Sequence, residues 1–263
     1  TGSRTAMIGP NGSGKSTLAR VIARLVRAEG SVLYDGAPAG DEAALLRRIA
    51  YLPQIAPRIQ APSGELVEAI CMLRDLDQES VWALAGALGL PSQSARTTDF
   101  QDLSGGMKQK LMLALCLTQR AELMILDEPT ASLDPAAREC FFDAFRALPA
   151  ETTVLLSSHR LEELRALADR ILILDEGRIA HFGPAEHFLR DRATSRIEVR
   201  CAANGSAAAW LREAGFARNA GGRWQVETPA DQKMEVIKRM ITALGAAVED
   251  LQVHESERLE EDA

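Results

Sequence analysis

Through about residue 190, short apolar runs alternate with longer stretches of helical spacing. The pattern predicts strands at 4–8, 31–34, 49–52, 123–126, 153–157 and 170–174. Several, such as Leu123-Met124-Ile125-Leu126 and Val154-Leu155-Leu156, are apolar at successive positions, as strands covered on both faces must be. Helical spacing predicts helices at 15–27, 105–118, 135–148 and 161–168. That alternation belongs to a largely parallel sheet covered by helices. Between Gln54 and Leu103 the strand signal stops. Helices at 63–74 and 78–88, with Pro57, Pro62 and Pro91 between and around them, predict a helical insert.

From about Arg192 the texture changes. A strand at 195–201, a helix at 206–214, a hairpin turning at 220–222 into 224–227, a helix at 229–244 closed by Gly245, and a strand at 247–253 follow in order. This β-α-β-β-α-β order predicts a small α+β module of the ferredoxin-like kind. Trp210 and Trp224 read as core aromatics of that module, and residues 255–262 as a solvated acidic tail.

Charge narrows the field. The 263 residues carry 30 Lys and Arg against 37 Asp and Glu, a net charge of −7, so no cation excess exists to replace counterions along a nucleic acid. The apolar runs are of strand length, far short of the ~20 residues of a membrane span. Cys71, Cys116, Cys140 and Cys201 are scattered with no C-x-x-C or Cys/His cluster, so they read as reduced apolar fillers of a cytosolic protein. The sequence opens without Met and runs straight into its first strand, so a preceding segment is expected.

The chemistry lies in three places. Gly9-Pro10-Asn11-Gly12-Ser13-Gly14-Lys15-Ser16-Thr17 matches G-x-x-x-x-G-K-[ST] between a predicted strand and a predicted helix. Glycines let backbone N–H groups turn onto phosphates, and the helix N-terminus adds its positive end. Lys15 is expected on the β- and γ-phosphates and Ser16 on Mg²⁺. A second strand ends in Asp127-Glu128, where Asp127 can hold Mg²⁺ and Glu128 can polarise the attacking water. Together they predict an α/β P-loop NTPase (RecA-like) core; the phosphate loop alone leaves kinases, GTPases, helicases and RecA-like motors open. Leu103-Ser104-Gly105-Gly106 heads another helix, a second anion-binding N-terminus with Ser104 as its cap. Two such ends in one chain suggest a nucleotide held between two copies.

Over about residues 1–190 these motifs resemble the nucleotide-binding subunits of ABC transporters, in family order. The phosphate loop is followed by the Q-loop Tyr51-Leu52-Pro53-Gln54, then by Leu103-Ser104-Gly105-Gly106 and the Asp127-Glu128 strand. The D-loop Ser132-Leu133-Asp134-Pro135 and the switch histidine of Ser157-Ser158-His159 complete the series. Singly, Gln54 reads as a loop amide, His159 as a helix start and Asp134-Pro135 as a cap with a first-turn proline. The resemblance implies more. Gln54 would contact Mg²⁺ and the lytic water, and His159 the γ-phosphate. Ser104 and Gly106 would bind the nucleotide of the opposite subunit, and Asp134 would organise the dimer.

The implied protein is an ATPase that uses ATP and Mg²⁺ and works as a homodimer or with a paired ATPase subunit. It would power a separate membrane permease from the cytoplasmic face, as a peripheral subunit. Its ATP-binding domain would span 1–191 with the insert at about 55–103, followed by the α+β module at 192–254 and the tail at 255–263. The family's adenine-stacking aromatic and first strands are expected before residue 1. Residues 97–102 lack the acidic-glycine loop of many fused exporters, which favours a separately encoded subunit. Gly-Gly-Met-Lys-Gln-Lys with a C-terminal module resembles subunits of ABC-2-type exporters, including those for drugs and copper-enzyme maturation. The rival reading, a soluble ABC ATPase of DNA repair or translation, meets three objections: the insert has no room for a coiled coil, only one such domain is present, and the charge is acidic.

Overall fold

The computed structural model describes residues 2–38, 42–201, 205–219, 221–229 and 232–257. The chain divides into two compact units, Thr1–Ala185 and Glu186–Ala263.

In the first unit, β1 (Arg4–Ile8) leads through the phosphate loop into α1 (Lys15–Ile22). That helix is predicted to residue 27 but stops early. Arg24 takes a left-handed φ of 61°, the Leu25 N–H bonds the Arg20 carbonyl and the Arg24 N–H bonds that of Val21, which is a Schellman stop. The strand predicted at 31–34 is reduced to β2 (Leu33–Tyr34), hairpinned to β3 (Ala37–Pro38) through Asp35-Gly36. Then come α2 (Glu42–Arg48) and β4 (Ile49–Leu52). The insert supplies α3 (Ser63–Arg74), α4 (Gln78–Ala87) and α5 (Ser92–Thr97). α6 (Gly105–Leu117), β5 (Leu123–Asp127), α7 (Pro135–Arg146), β6 (Thr153–Ser157), α8 (Leu161–Leu167), β7 (Arg170–Asp175) and β8 (Arg178–Pro184) follow.

One six-stranded sheet runs β4-β5-β6-β1-β7-β8, parallel except for β8. Met7, Met124, Ile125, Leu126 and Leu156 are wholly buried in it, and Phe141 and Phe145 of α7 are buried too. The parallel strands therefore carry the apolar signal of two-sided cover. The β8 edge escapes that signal because only Gly183 in it is buried. Its clue is the turn Glu176-Gly177, whose positive φ values of 45° and 76° suit a tight hairpin. The short α2 and α5 are too brief to display a helical period.

α9 (Ala185–Arg192) opens on the last residue of the first unit. The second unit continues with β9 (Ala193–Cys201), α10 (Gly205–Glu213), β10 (Ala217–Arg218), β11 (Trp224–Pro229), α11 (Lys233–Leu244) and β12 (Val248–Glu257). Its sheet is antiparallel in the order β10-β11-β9-β12. With the element order β-α-β-β-α-β, that is the ferredoxin-like topology. Ile197, Val199, Leu211, Phe216, Trp224 and Met240 form its core. Helix α11 starts at Lys233 rather than 229 and ends at Gly245, while β12 extends to Glu257. The turn residue Ala220 and the rest of the acidic tail, 258–263, lie outside the described residues.

Candidate functional site

Parallel strands deliver their carboxyl ends to one edge, and four neighbours, β4-β5-β6-β1, carry the predicted chemistry there. Registers set the alignment: Leu52 pairs with Leu126, Asp127 with Ser157, and Met7 with Ser157 on its other side. Gln54, Asp127-Glu128, Ser157-Ser158-His159 and the phosphate loop therefore leave adjacent strands at one level.

The phosphate loop requires its glycines. Gly9, Gly12 and Gly14 have φ of 151°, 85° and 102°, and a β-carbon on Gly9 would run into the Leu174 carbonyl oxygen. The β7–β8 turn packs on the loop, where the Gly177 N–H bonds the Ser13 carbonyl at 3.0 Å. Lys15 Nζ donates to the Gly9 and Pro10 carbonyls at 2.6 and 3.0 Å, so its ammonium lies over the loop. The buried Ser13 Oγ has no hydrogen-bond partner among the described residues. Pro10, Asn11, Gly12 and Thr17 are exposed, while Ser16 is half-buried in the first turn of α1, where helix N–H groups lack intrahelical acceptors.

Asp127 is 1% exposed. Its Oδ1 accepts a 2.6 Å bond from Ser157 Oγ, while Oδ2 is buried without a partner among the described residues. That open carboxylate oxygen fits a cation or a cation-bound water. Ser157 Oγ also accepts the Glu128 N–H at 2.9 Å. Glu128 has a left-handed φ of 50°, a strained setting for a side chain of this kind. Its Oε2 lies 3.0 Å from His159 Nδ1, with the glutamate side chain 12% and the histidine 68% exposed. Burial lifts the Glu128 carboxyl above the usual carboxylate range, and the bond to His159 partly offsets this.

Gln54 and Gly105 line a different cleft, of about 600 Å³, together with Arg58, Gln101, Lys108, Gln109 and Ser132. No residue of the phosphate loop lines it. Ser104 caps α6, its Oγ accepting the Met107 N–H at 3.3 Å, and Ser104 and Gly105 are exposed with Gly106 half-buried behind them. Asp134 caps α7 through the Ala137 N–H at 2.9 Å and pairs with Lys110 Nζ of α6 at 2.7 Å, which holds its carboxyl below the usual range. The first unit thus offers two surfaces, the phosphate loop with the acidic pair and the Ser104 helix end; Gln54 leaves β4 beside the first and lines the cleft of the second.

Two residues to which the sequence assigns no role, Gln109 and Glu163, support these surfaces. Gln109, buried, donates from Nε2 to the Pro129 carbonyl at 2.8 Å, tying α6 to the residue after Glu128. Glu163, 1% exposed, accepts from Thr130 Oγ1 and, at 2.7 Å, from Ser158 Oγ. Glu163 lies four residues before Leu167, on the buried face of α8.

A family model described as ABC transporter matches residues 1–131. A daunorubicin resistance ATP-binding protein of Streptomyces coeruleorubidus is 34% identical over 252 residues, covering 92% of this chain and 79% of the relative. A thiamine import ATP-binding protein of Shigella flexneri serotype 5b is 32% identical, over 74% of this chain and 86% of its own. The solved structure of an ATP binding subunit of an ABC transporter superposes with a TM-score of 0.63 at 26% identity, over 72% of this chain and 82% of that one.

Proposed function

The chain belongs to the ABC transporter family of ATP-binding proteins and is an ATPase; on that premise we propose that it drives an exporter, hydrolysing ATP buried between two copies of its first unit. The observation that carries this reading is the meeting of Lys15, Asp127, Glu128 and His159 at the ends of adjacent strands, while Ser104 belongs to a second surface. With its two candidate phosphate-binding helix ends apart, the chain would complete each site with the Ser104 end of a second copy.

Hydrolysis is then mostly positioning and charge stabilisation. Lys15 exchanges the Gly9 and Pro10 carbonyls for the β- and γ-phosphates, and loop N–H groups donate to the same oxygens. Ser16, Gln54 and Asp127 would hold Mg²⁺, which when bound neutralises phosphate charge. Glu128 polarises the attacking water, and the burial that raises its proton affinity makes it a stronger base. His159, tethered to Glu128, contacts the γ-phosphate. Ser104 and Gly106 act on the partner copy's nucleotide, and Asp134, anchored by Lys110, shapes the dimer face.

In this reading a separate permease supplies the membrane path and the ATPase lies on its cytoplasmic face. Ile55, Met72 and Leu73 on the insert, 76%, 80% and 76% exposed, offer an apolar surface for it. Export is the direction we favour because the likeness to the daunorubicin resistance ATP-binding protein covers 92% of the chain and so extends past residue 185, and outward transport of a drug would account for resistance to it. The test is a pull-down of the full-length tagged protein from detergent-solubilised membranes, read by mass spectrometry. A polytopic permease is expected; ribosomes or DNA-repair proteins without a membrane partner would overturn the reading.

A further inference from the structure

Strand pairing fixes Asp127 against Ser157, but the side chains that meet beyond it, Glu128 and His159, stand on two loops that have left the sheet. Packing does not hold His159, which is 68% exposed, and the backbone of Glu128 is strained. Something must hold the loops in register.

Glu163 reaches both. One carboxylate oxygen accepts from Thr130 Oγ1, two residues after Glu128, and the other accepts from Ser158 Oγ, the residue before His159, at 2.7 Å. Ser158 Oγ in turn accepts the Arg160 N–H at 3.0 Å, closing the loop onto the start of α8. This carboxylate is 1% exposed, and Arg160 Nε lies 3.7 Å from it. A buried carboxylate with so distant a counter-charge is a poor source of stability, and apolar residues commonly fill such space as well or better. What it supplies is geometry: two fixed acceptors, one for each loop. Gln109 holds the Pro129 carbonyl, so the two residues that follow Glu128 are each tied to a neighbouring helix.

We infer that Glu163 is a positioning residue for hydrolysis, clamping the Glu128 and His159 loops together through Thr130 and Ser158. The inference rests on the reading of Glu128 and His159 as the hydrolytic pair. It touches neither nucleotide nor water in this role, so its loss should strike turnover rather than binding.

The test is steady-state ATPase kinetics of the full-length protein, with nucleotide affinity and melting temperature measured alongside. Glu163→Ala is expected to lower kcat roughly tenfold to a hundredfold, the scale of a misplacement near 1 Å, with KM for ATP within about twofold. Glu163→Gln should recover most of the loss, because its amide can accept from one hydroxyl and donate to the other. Ser158→Ala and Thr130→Val each remove one arm with little change in volume. Each should lower kcat in part, and neither should add its full effect in the Glu163→Ala background. If Glu163→Ala does not fold, these single-arm variants and Glu163→Gln decide. Wild-type kcat in the single-arm variants, parallel losses of kcat, affinity and melting temperature, or a Gln variant as impaired as Ala would overturn the clamp. Glu128→Gln serves as the control: near-wild-type turnover there would instead overturn the assignment of the pair.

Discussion

Ser157 donates a 2.6 Å hydrogen bond to Asp127 Oδ1 between two buried side chains, and the same hydroxyl accepts the Glu128 N–H. One hydroxyl thus orients the carboxylate assigned to the cation and the backbone of the carboxylate assigned to the water. Ser157→Ala leaves the buried Asp127 acceptor unmet, a cost of about 1–3 kcal/mol, and frees the half-buried Glu128 N–H at a smaller cost. Thermal unfolding should register that loss, and kcat should fall more than ATP affinity does.

Glu128→Gln keeps the shape of the side chain and removes its basicity. We expect ATP to bind with near-wild-type affinity, as read with a fluorescent nucleotide analogue, and hydrolysis to drop by roughly 10²–10⁴-fold. Hydrolysis at the wild-type rate would remove Glu128 from its role.

The environment of Glu128 also sets a pH dependence. Its carboxyl is raised by burial, and it acts on water only when ionised, so turnover should fall with acid at a pH above the ordinary glutamate value of about 4.3. The stability effect has the opposite sense to a salt-bridged acid. The folded state holds this proton more tightly than the unfolded state, so its contribution is unfavourable above the folded pKa and vanishes below the unfolded one. Glu128→Gln should therefore melt no lower than the parent at neutral pH, and any gain should shrink as the solution is acidified.

Ser104 is exposed and its hydroxyl serves the cap of α6. Ser104→Arg costs about 1 kcal/mol of capping and puts a bulky cation where the second copy's nucleotide is assigned. Turnover should vanish while one chain still binds ATP. Loss of binding by the single chain would indicate that Ser104 supports its own phosphate loop.

Much of this site was legible in the sequence because its chemistry sits in contiguous motifs at strand ends. The phosphate loop, the Asp127-Glu128 pair and Ser157-Ser158-His159 each follow a strand that carries at least three successive apolar residues, the mark of cover on both faces. β8 was not legible, since an edge strand with one buried residue carries no such run. The early end of α1 was hidden as well, because it depends on Arg24 entering a left-handed conformation that favours Gly or Asn. Glu163 looked like any acidic residue in a helix's first turn, where charge is favourable at the surface. Its burial follows from two loops distant in sequence closing over it. The ferredoxin-like character of the second unit is legible in its element order, because β-α-β-β-α-β leaves few sound pairings, while the strand order β10-β11-β9-β12 comes from the structure.

The central claim, that two copies enclose ATP between the Lys15 loop of one and the Ser104 helix of the other, is tested most directly by light scattering on full-length Glu128→Gln. With ATP and Mg²⁺ the protein should have twice the mass it has without nucleotide or with ADP, and adding Ser104→Arg should abolish the increase. A single-chain mass at saturating ATP would contradict the account.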